Sequence, residues 1–258
     1  MLLERLERYY DQAPRSAARA EVIGPFTLFV KQGGGFAYYA RPSIGSTEFA
    51  ADDVDRVRAR QRQLEVPESF EWVAETSPGL SSAILASGLK VHRHPLQVLE
   101  RPMTVPEVSD IILRLVSVDD NLARVSAVGR VAFGSPGTAI GDVGIEALAS
   151  AAPASVESQQ QRLRSGLTVT AAAFTAEGDP VAAGSHQPVD EVSEIVGVGT
   201  LPAYRRRGIG AALTALLVED ALARGVRTVF LSAGDADVAR LYERVGFRRI
   251  GTACIAEP

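Results

Sequence analysis

The stretch Thr200-Leu201-Pro202-Ala203-Tyr204-Arg205-Arg206-Arg207-Gly208-Ile209-Gly210-Ala211-Ala212 reads as the end of a strand, a break at Pro202, and a helix opened by glycines. From within it onward, Ile209, Leu213, Leu216 and Leu217 recur at the spacing that lays one apolar helix face on a sheet. A helix N-terminus presents unpaired N–H groups and the positive end of the dipole, about half an elementary charge. Gly208 and Gly210 lack Cβ atoms, so an anion can come close to the backbone. Arg205, Arg206 and Arg207 add positive charge. The stretch therefore predicts a cradle suited to phosphates. It is not a Walker loop, because no Gly-Lys-Ser/Thr follows, and it lacks the third glycine and the later acidic residue of the dinucleotide fingerprint.

Working outward, the chain alternates strand 226–231, helix 236–245 and strand 247–255 after the cradle. Before it, strands 167–175, 180–187 and 193–200 form a meander, the first two joined by the turn signal Glu177-Gly178-Asp179. Further upstream lie strand 111–116, the N-cap cluster Asp119-Asp120-Asn121, and helices near 120–133 and 155–165. The first half predicts a helix at 2–11. Phe26–Val30 and Phe36–Ala40 make a hairpin around Lys31-Gln32-Gly33-Gly34-Gly35. A surface helix over Asp52–Leu64 follows, then strand 70–74, helix 79–87 ended by Gly88 at C′, and strand 90–99. Pro102 and Pro106 bracket a linker. The expected fold class is α/β, of the α+β type: a mixed central sheet flanked by helices. An N-terminal α/β half-domain, 1–104, extends the sheet of a C-terminal domain, 105–258.

Composition excludes several classes. Of 258 residues, 46% are hydrophobic and 22% charged, ample for a packed core. No apolar run approaches the roughly 18 residues a membrane span needs. The segment Met1–Arg8 mixes both charges and reads as an amphipathic helix rather than a signal peptide, so a cytoplasmic location is expected. A single cysteine, Cys254, rules out an intramolecular disulfide and a thiolate zinc cluster. His92 and His94 alternate on a strand and lack a third ligand, and His186 ends a strand, so no metal is expected. The net charge of −4 divides into zero over 1–104, −7 over 105–200 and +3 over 201–258. The last segment favours an anionic ligand and the one before it a cationic one. No basic stripe with interleaved aromatics points to nucleic acid.

The motif Arg205-Arg206-Arg207-Gly208-Ile209-Gly210, preceded by Val198-Gly199-Thr200-Leu201-Pro202, resembles the acetyl-CoA signature of the GNAT superfamily of N-acetyltransferases. Downstream, Leu241-Tyr242-Glu243-Arg244-Val245-Gly246-Phe247 is similar to that superfamily's Leu-Tyr-x-x-x-Gly-Phe element, and the two stand in its order. The resemblance covers about 110–258. It implies acetyl-CoA as cosubstrate, with the amides of Arg206 through Ala211 (Arg206, Arg207, Gly208, Ile209, Gly210 and Ala211) gripping its pyrophosphate. Arg205 takes the position that opens the signature. Val198, Gly199 and Thr200 lie on a splayed strand that pairs with the pantetheine arm, and an amide near Val198 serves as oxyanion donor. Tyr242 is implied as the general acid that protonates the departing thiolate. Asp235 stands where many members have an asparagine that contacts the cofactor, and it also fits an N-cap. Glu194, on the strand where many members carry a glutamate, is the candidate base, with Glu191 a weaker one.

The implied reaction is transfer of acetyl to a primary amine by direct attack through a tetrahedral intermediate, and the acidic stretch 105–200 suits a cationic acceptor. The alternative is a non-catalytic acyl-CoA sensor or interaction module. Neither nucleic acid nor membrane is an expected partner, and homodimers are common in the superfamily. Aligned on Gly88 and Gly246, Phe70–Val91 and Thr228–Arg249 share a strand–helix–glycine–strand order. Ile84 stands at the tyrosine's place and no glycine cradle precedes it, which suggests a degenerate GNAT-like unit. Trp72, Glu71 and Glu75 are its candidate pocket residues.

Overall fold

The computed structural model describes residues 1–32, 39–102, 104, 107–151 and 155–258. Its chain packs as two compact units. One contains Met1–Leu96 with Ile250–Pro258, the other Gln97–Arg249. The sequence places the division at 104/105. In the structure residues 250–258 group with the first unit, because the second half of the last strand, β11 (Phe247–Glu257), pairs antiparallel with β4 (Phe70–Val73) from Ala253↔Val73 to Ala256↔Phe70.

The first unit contains α1 (Leu2–Gln12), β1 (Ala18–Ile23), β2 (Phe26–Lys31), β3 (Ala40–Pro42), α2 (Ala51–Gln63), β4, α3 (Leu80–Ala86) and most of β5 (Lys90–Leu99). Its strands run in the order β1-β2-β3-β4-β11-β5. β1 is not expected from the sequence. Its Ala-Arg-Ala-Glu-Val-Ile run buries Ala18 but exposes Arg19 and Val22, so it lacks the alternation of a half-buried strand. It forms by pairing with β2 through a turn in which Gly24 has φ +56°. Of the expected hairpin, residues 33–38 lie outside the described part; β2 pairs antiparallel with β3, Leu28 opposite Ala40. Phe26, Leu28, Phe70, Trp72, Leu80 and Ile84 are fully or almost fully buried in this unit's core. Gly88, at φ +82°, closes α3 in the left-handed conformation that favours glycine.

Charge is buried here too. Arg41 is 3% exposed, lies over the Tyr10 ring at 3.9 Å, and meets Glu7 at 3.4 Å and Glu71 at 3.5 Å. Burial pushes the Glu71 carboxyl up to about 7 despite the guanidinium beside it. A carboxyl raised in the folded state binds its proton more tightly there than in the unfolded chain. Its contribution to stability is therefore present at low pH and lost as pH rises from the ordinary carboxylate range to about 7. Urea unfolding followed by the fluorescence of Trp72, the chain's single tryptophan, is expected to show a falling midpoint between pH 5 and pH 7.5. Glu71→Gln should flatten that dependence.

The second unit contains the end of β5, β6 (Ile112–Leu115), α4 (Leu122–Phe133), α5 (Val156–Arg164), β7 (Val169–Phe174), β8 (Pro180–Val189), β9 (Val192–Thr200), α6 (Ile209–Ala223), β10 (Thr228–Ser232), α7 (Ala236–Glu243) and the start of β11. Its strands run β5-β10-β9-β8-β7-β6. β6 to β9 are antiparallel neighbours and β9 is parallel to β10. The parallel pair is joined by the crossover helix α6. The Asn121 side chain caps α4 by accepting from Arg124 N at 3.1 Å, and Ser155 caps α5 by accepting from Ser158 N. α4 and α6 both pack on β8 and β9. The fold is a mixed α/β one, with a large mixed sheet flanked by helices.

Candidate functional site

β9 and β10 are in register only from Val192↔Thr228 to Glu194↔Phe230, after which β9 continues for six residues without a registered partner on that side. Against β8, the register passes from Ser185↔Val196 to Ala183↔Gly199, so Gly197 and Val198 stand opposite Gly184 alone. This is a β-bulge, and Gly197 at φ +64° supplies the left-handed residue such bulges use. Gly184 makes room for it: a Cβ there would lie 2.8 Å from Val198 Cγ2. Val198 thus stands at the bulge, Gly199 and Thr200 on the arm of β9 beyond it, and Glu194 at the last pair with β10. Gly199 is equally constrained, since a Cβ would meet the Ala132 Cβ of α4 at 2.9 Å.

The turn after β9 leads into α6. Arg206 is left-handed at φ +62° and exposed, as is Arg207. Gly208, the N-cap residue, has φ +81° and no side chain caps the helix. The amides of Ile209, Gly210 and Ala211 head the helix, where no carbonyl one turn back is available to them. Gly210 is the meeting point of three elements. A Cβ placed on it would lie 3.6 Å from Thr200 Oγ1 and 3.7 Å from Leu241 Cδ1 of α7. The strand arm, the helix start and the Tyr242-bearing helix therefore converge. A glycine in a left-handed N-cap, a helix start that no side chain caps and two exposed arginines fit a phosphate-bearing ligand.

Arg205 differs from its expected part. Its guanidinium donates to the backbone carbonyls of Thr200 (3.1 Å), Ala139 (3.2 Å), Ala132 (3.0 Å) and Ser135 (2.6 Å). Of these, Ala132 belongs to the last turn of α4, where carbonyls lack intrahelical donors, while Ser135 and Ala139 follow that helix. Arg205 holds the 132–139 segment to the turn rather than presenting its charge to a phosphate. The same segment is tied by Gly141 N to Pro202 O and by Ala203 N to Val143 O.

Tyr242 is 7% exposed and packs edge-on to Phe247 with ring centroids 6.1 Å apart. Burial pushes its phenol up to about 12, so it carries its proton at neutral pH. It makes no hydrogen bond to a described residue. Asp235 is the N-cap of α7, its Oδ1 accepting from Val238 N at 2.8 Å. Glu194 is half-buried. Glu191 lies in the β8–β9 turn, 3.1 Å from Arg227 on the surface. Among the described residues no three His, Cys, Asp or Glu side chains are grouped to hold a metal, and no helix is long and apolar enough to cross a membrane.

A buried polar line joins three side chains that the sequence reading did not bring together. His186, fully buried, places Nδ1 2.9 Å from Ser193 Oγ and Nε2 2.9 Å from Asp220 Oδ2. A carboxylate only accepts, so Nε2 carries the hydrogen and Nδ1 accepts from the serine hydroxyl. Burial lowers the His186 pKa, outweighing the carboxylate beside it. Burial alone would raise Asp220, but hydrogen bonds from Arg224 and His186 hold it below the usual range. The line joins β8, β9 and α6 at the end where β9 and β10 are still paired.

Residues 147–247 match the model of the acetyltransferase (GNAT) family, a family of acyltransferases. No curated protein matches the chain in sequence. Among solved structures, a GCN5-related N-acetyltransferase from Kribbella flavida is similar at 24% identity and a TM-score of 0.73, covering 99% of this chain and 95% of that one. A GCN5-related N-acetyltransferase-like protein from Streptococcus suis is similar at 15% identity and a TM-score of 0.60, covering 99% and 97%. A tandem GNAT protein from the clavulanic acid biosynthesis pathway is similar at 14% and 0.60, covering 90% and 78%. At these identities the likeness is one of fold.

Proposed function

We propose, for a chain whose residues 147–247 form a domain of the acetyltransferase (GNAT) family, that it transfers acetyl from acetyl-CoA to a primary amine. The observation that carries this reading is the uncapped start of α6, with Gly208 left-handed, beside the bulged arm of β9. The amides of Ile209, Gly210 and Ala211, with the charge of Arg206 and Arg207, would hold the pyrophosphate. The backbone of Val198, Gly199 and Thr200 would pair with the pantetheine arm, and the amide at the bulge would face the thioester carbonyl. When bound, acetyl-CoA supplies the acetyl group as a thioester already activated toward an amine.

The chain's own groups move the protons. The Glu194 carboxylate takes one from the incoming ammonium, directly or through a water, which frees the nitrogen lone pair. As the carbon–nitrogen bond forms and the carbon–sulfur bond breaks, the Tyr242 phenol oxygen gives its proton to the departing sulfur, and the second proton of the attacking nitrogen, lost as the amide forms, restores the phenol. Residues 1–104 are read as a degenerate GNAT-like domain and residues 105–258 as the catalytic domain. The left-handed glycines closing α3 and α7, Gly88 at φ +82° and Gly246 at φ +105°, support that reading.

Titration calorimetry with acetyl-CoA tests the cradle. Wild type should bind 1:1, and Gly208→Asp should bind roughly 30-fold more weakly or not at all, because a carboxylate would stand where a phosphate is held. Aspartate is a favourable N-cap and tolerates the left-handed region better than most residues, so circular dichroism should show the helix retained. Equal affinity in both proteins would remove the cradle and the catalytic assignments with it.

A further inference from the structure

Three large apolar side chains in the second unit stand out to solvent close to the signature turn. Phe133 is 60% exposed, Ile140 67% and Val143 39%. Phe133 ends α4, and its Cε2 lies 4.0 Å from where a Cβ on Gly199 would be, so its ring edge borders the arm of β9 beyond the bulge. Ile140 and Val143 belong to the segment that the Pro202–Ala203 backbone holds from both sides. The carbonyls of Ala132, Ser135 and Ala139, which flank Phe133 and precede Ile140, are the ones bound by Arg205. These exposed side chains are therefore fixed at the rim of the arm rather than scattered over the surface. Exposed apolar groups gathered at one rim mark a binding site more often than isolated ones do.

Charge completes the description. Asp142 lies between Ile140 and Val143 and is exposed, and Glu146, also exposed, follows with its carboxylate accepting from Gly144 N at 2.8 Å. The rim offers apolar surface and carboxylates together, which complements an organic cation with an apolar body. We propose that Phe133 is a specificity-determining residue and that the acceptor is an amine carrying an aryl or alkyl group. The inference rests on the acetyl-transfer reading and names the substrate class of that site. The ammonium would be drawn by the carboxylates, while the hydrocarbon lies against Phe133 and Ile140.

The test compares phenethylamine with ethanolamine, following release of free thiol from acetyl-CoA, in wild type and in Phe133→Ala. Phe133 is more than half exposed, so its removal should leave the fold intact, and acetyl-CoA affinity measured by calorimetry should be unchanged. Wild type should prefer phenethylamine, and Phe133→Ala should lose about tenfold or more in kcat/KM for it, mostly through KM, with ethanolamine little affected. Equal losses on both amines, or no wild-type preference, would overturn the proposal. If acetyl-CoA binds but neither amine turns over, the transfer reading fails separately. Calorimetry of phenethylamine against the acetyl-CoA-saturated protein then decides the rim: binding lost in Phe133→Ala supports it, and equal or absent binding refutes it. A concentration-dependent dimer abolished by Phe133→Ala would also refute it, by making the rim a contact between copies.

Discussion

Tyr242→Phe is expected to lower turnover by a factor of about 10² to 10⁴, the usual contribution of a placed acid, while acetyl-CoA affinity stays within about twofold. The reasoning follows from how the ring sits. Its apolar body packs on Phe247, and phenylalanine would fill the same space. The hydroxyl makes no hydrogen bond to a described residue, so its removal orphans no protein partner, and the melting temperature should hardly move. What disappears is the proton at that oxygen. Because burial pushes the phenol up to about 12, the wild-type rate should show no loss from deprotonation of this group as pH rises through 9 to 10. Thiol-release kinetics beside calorimetry check both halves. Unchanged turnover in the variant would mean that the sulfur takes its proton elsewhere. Unchanged background rates in both proteins on every amine would favour an acyl-CoA sensor.

Asp220→Ala is expected to have the largest effect on stability, because it orphans the His186 Nε2–H inside the second unit. A buried donor without a partner costs about 1–3 kcal/mol, and the loss of Arg224's partner adds little at the surface. Asp220→Asn, which can still accept from Nε2, should lose less. The pH dependence has a definite sign. A histidine whose pKa is lowered by folding binds its proton more readily in the unfolded chain, so stability falls as pH drops below the ordinary histidine value of about 6.5. Asp220, also lowered, adds a further loss only in the acid range. Hydrogen exchange of α6 and β9 amides at pH 7.5 and 5.5 would report this unit directly. A flat profile would show that folding does not shift the titration of His186.

The parts of this protein that were legible in its sequence are the local ones. The glycines and arginines before α6, the apolar spacing along it, and the caps Asn121 and Asp235 all act within a few residues of themselves. β1 was not legible, because a strand that exposes Arg19 and Val22 has no alternation to read and exists only through its pairing with β2. The destination of Arg205 was equally hidden. Its carbonyl partners lie about seventy residues upstream, and nothing near the motif says that α4 ends there. The His186–Ser193–Asp220 line needs a strand register and a helix docking at once. The seven-residue spacing of His186 and Ser193 across the Asp190–Glu191 turn was the signal available for half of it.

The return of residues 250–258 to the first unit bears on the order in which the protein can fold during synthesis. A domain usually closes as soon as its own stretch has emerged. Here the strand that satisfies β4 is made after the whole of the second unit, so the first unit waits, with that edge of β4 unprotected, until residues 253–256 have emerged. A fragment ending at residue 104 would keep that edge permanently, a template for pairing between chains. The second unit has no such dependence on late residues beyond Arg249. The half made first is thus the half completed last.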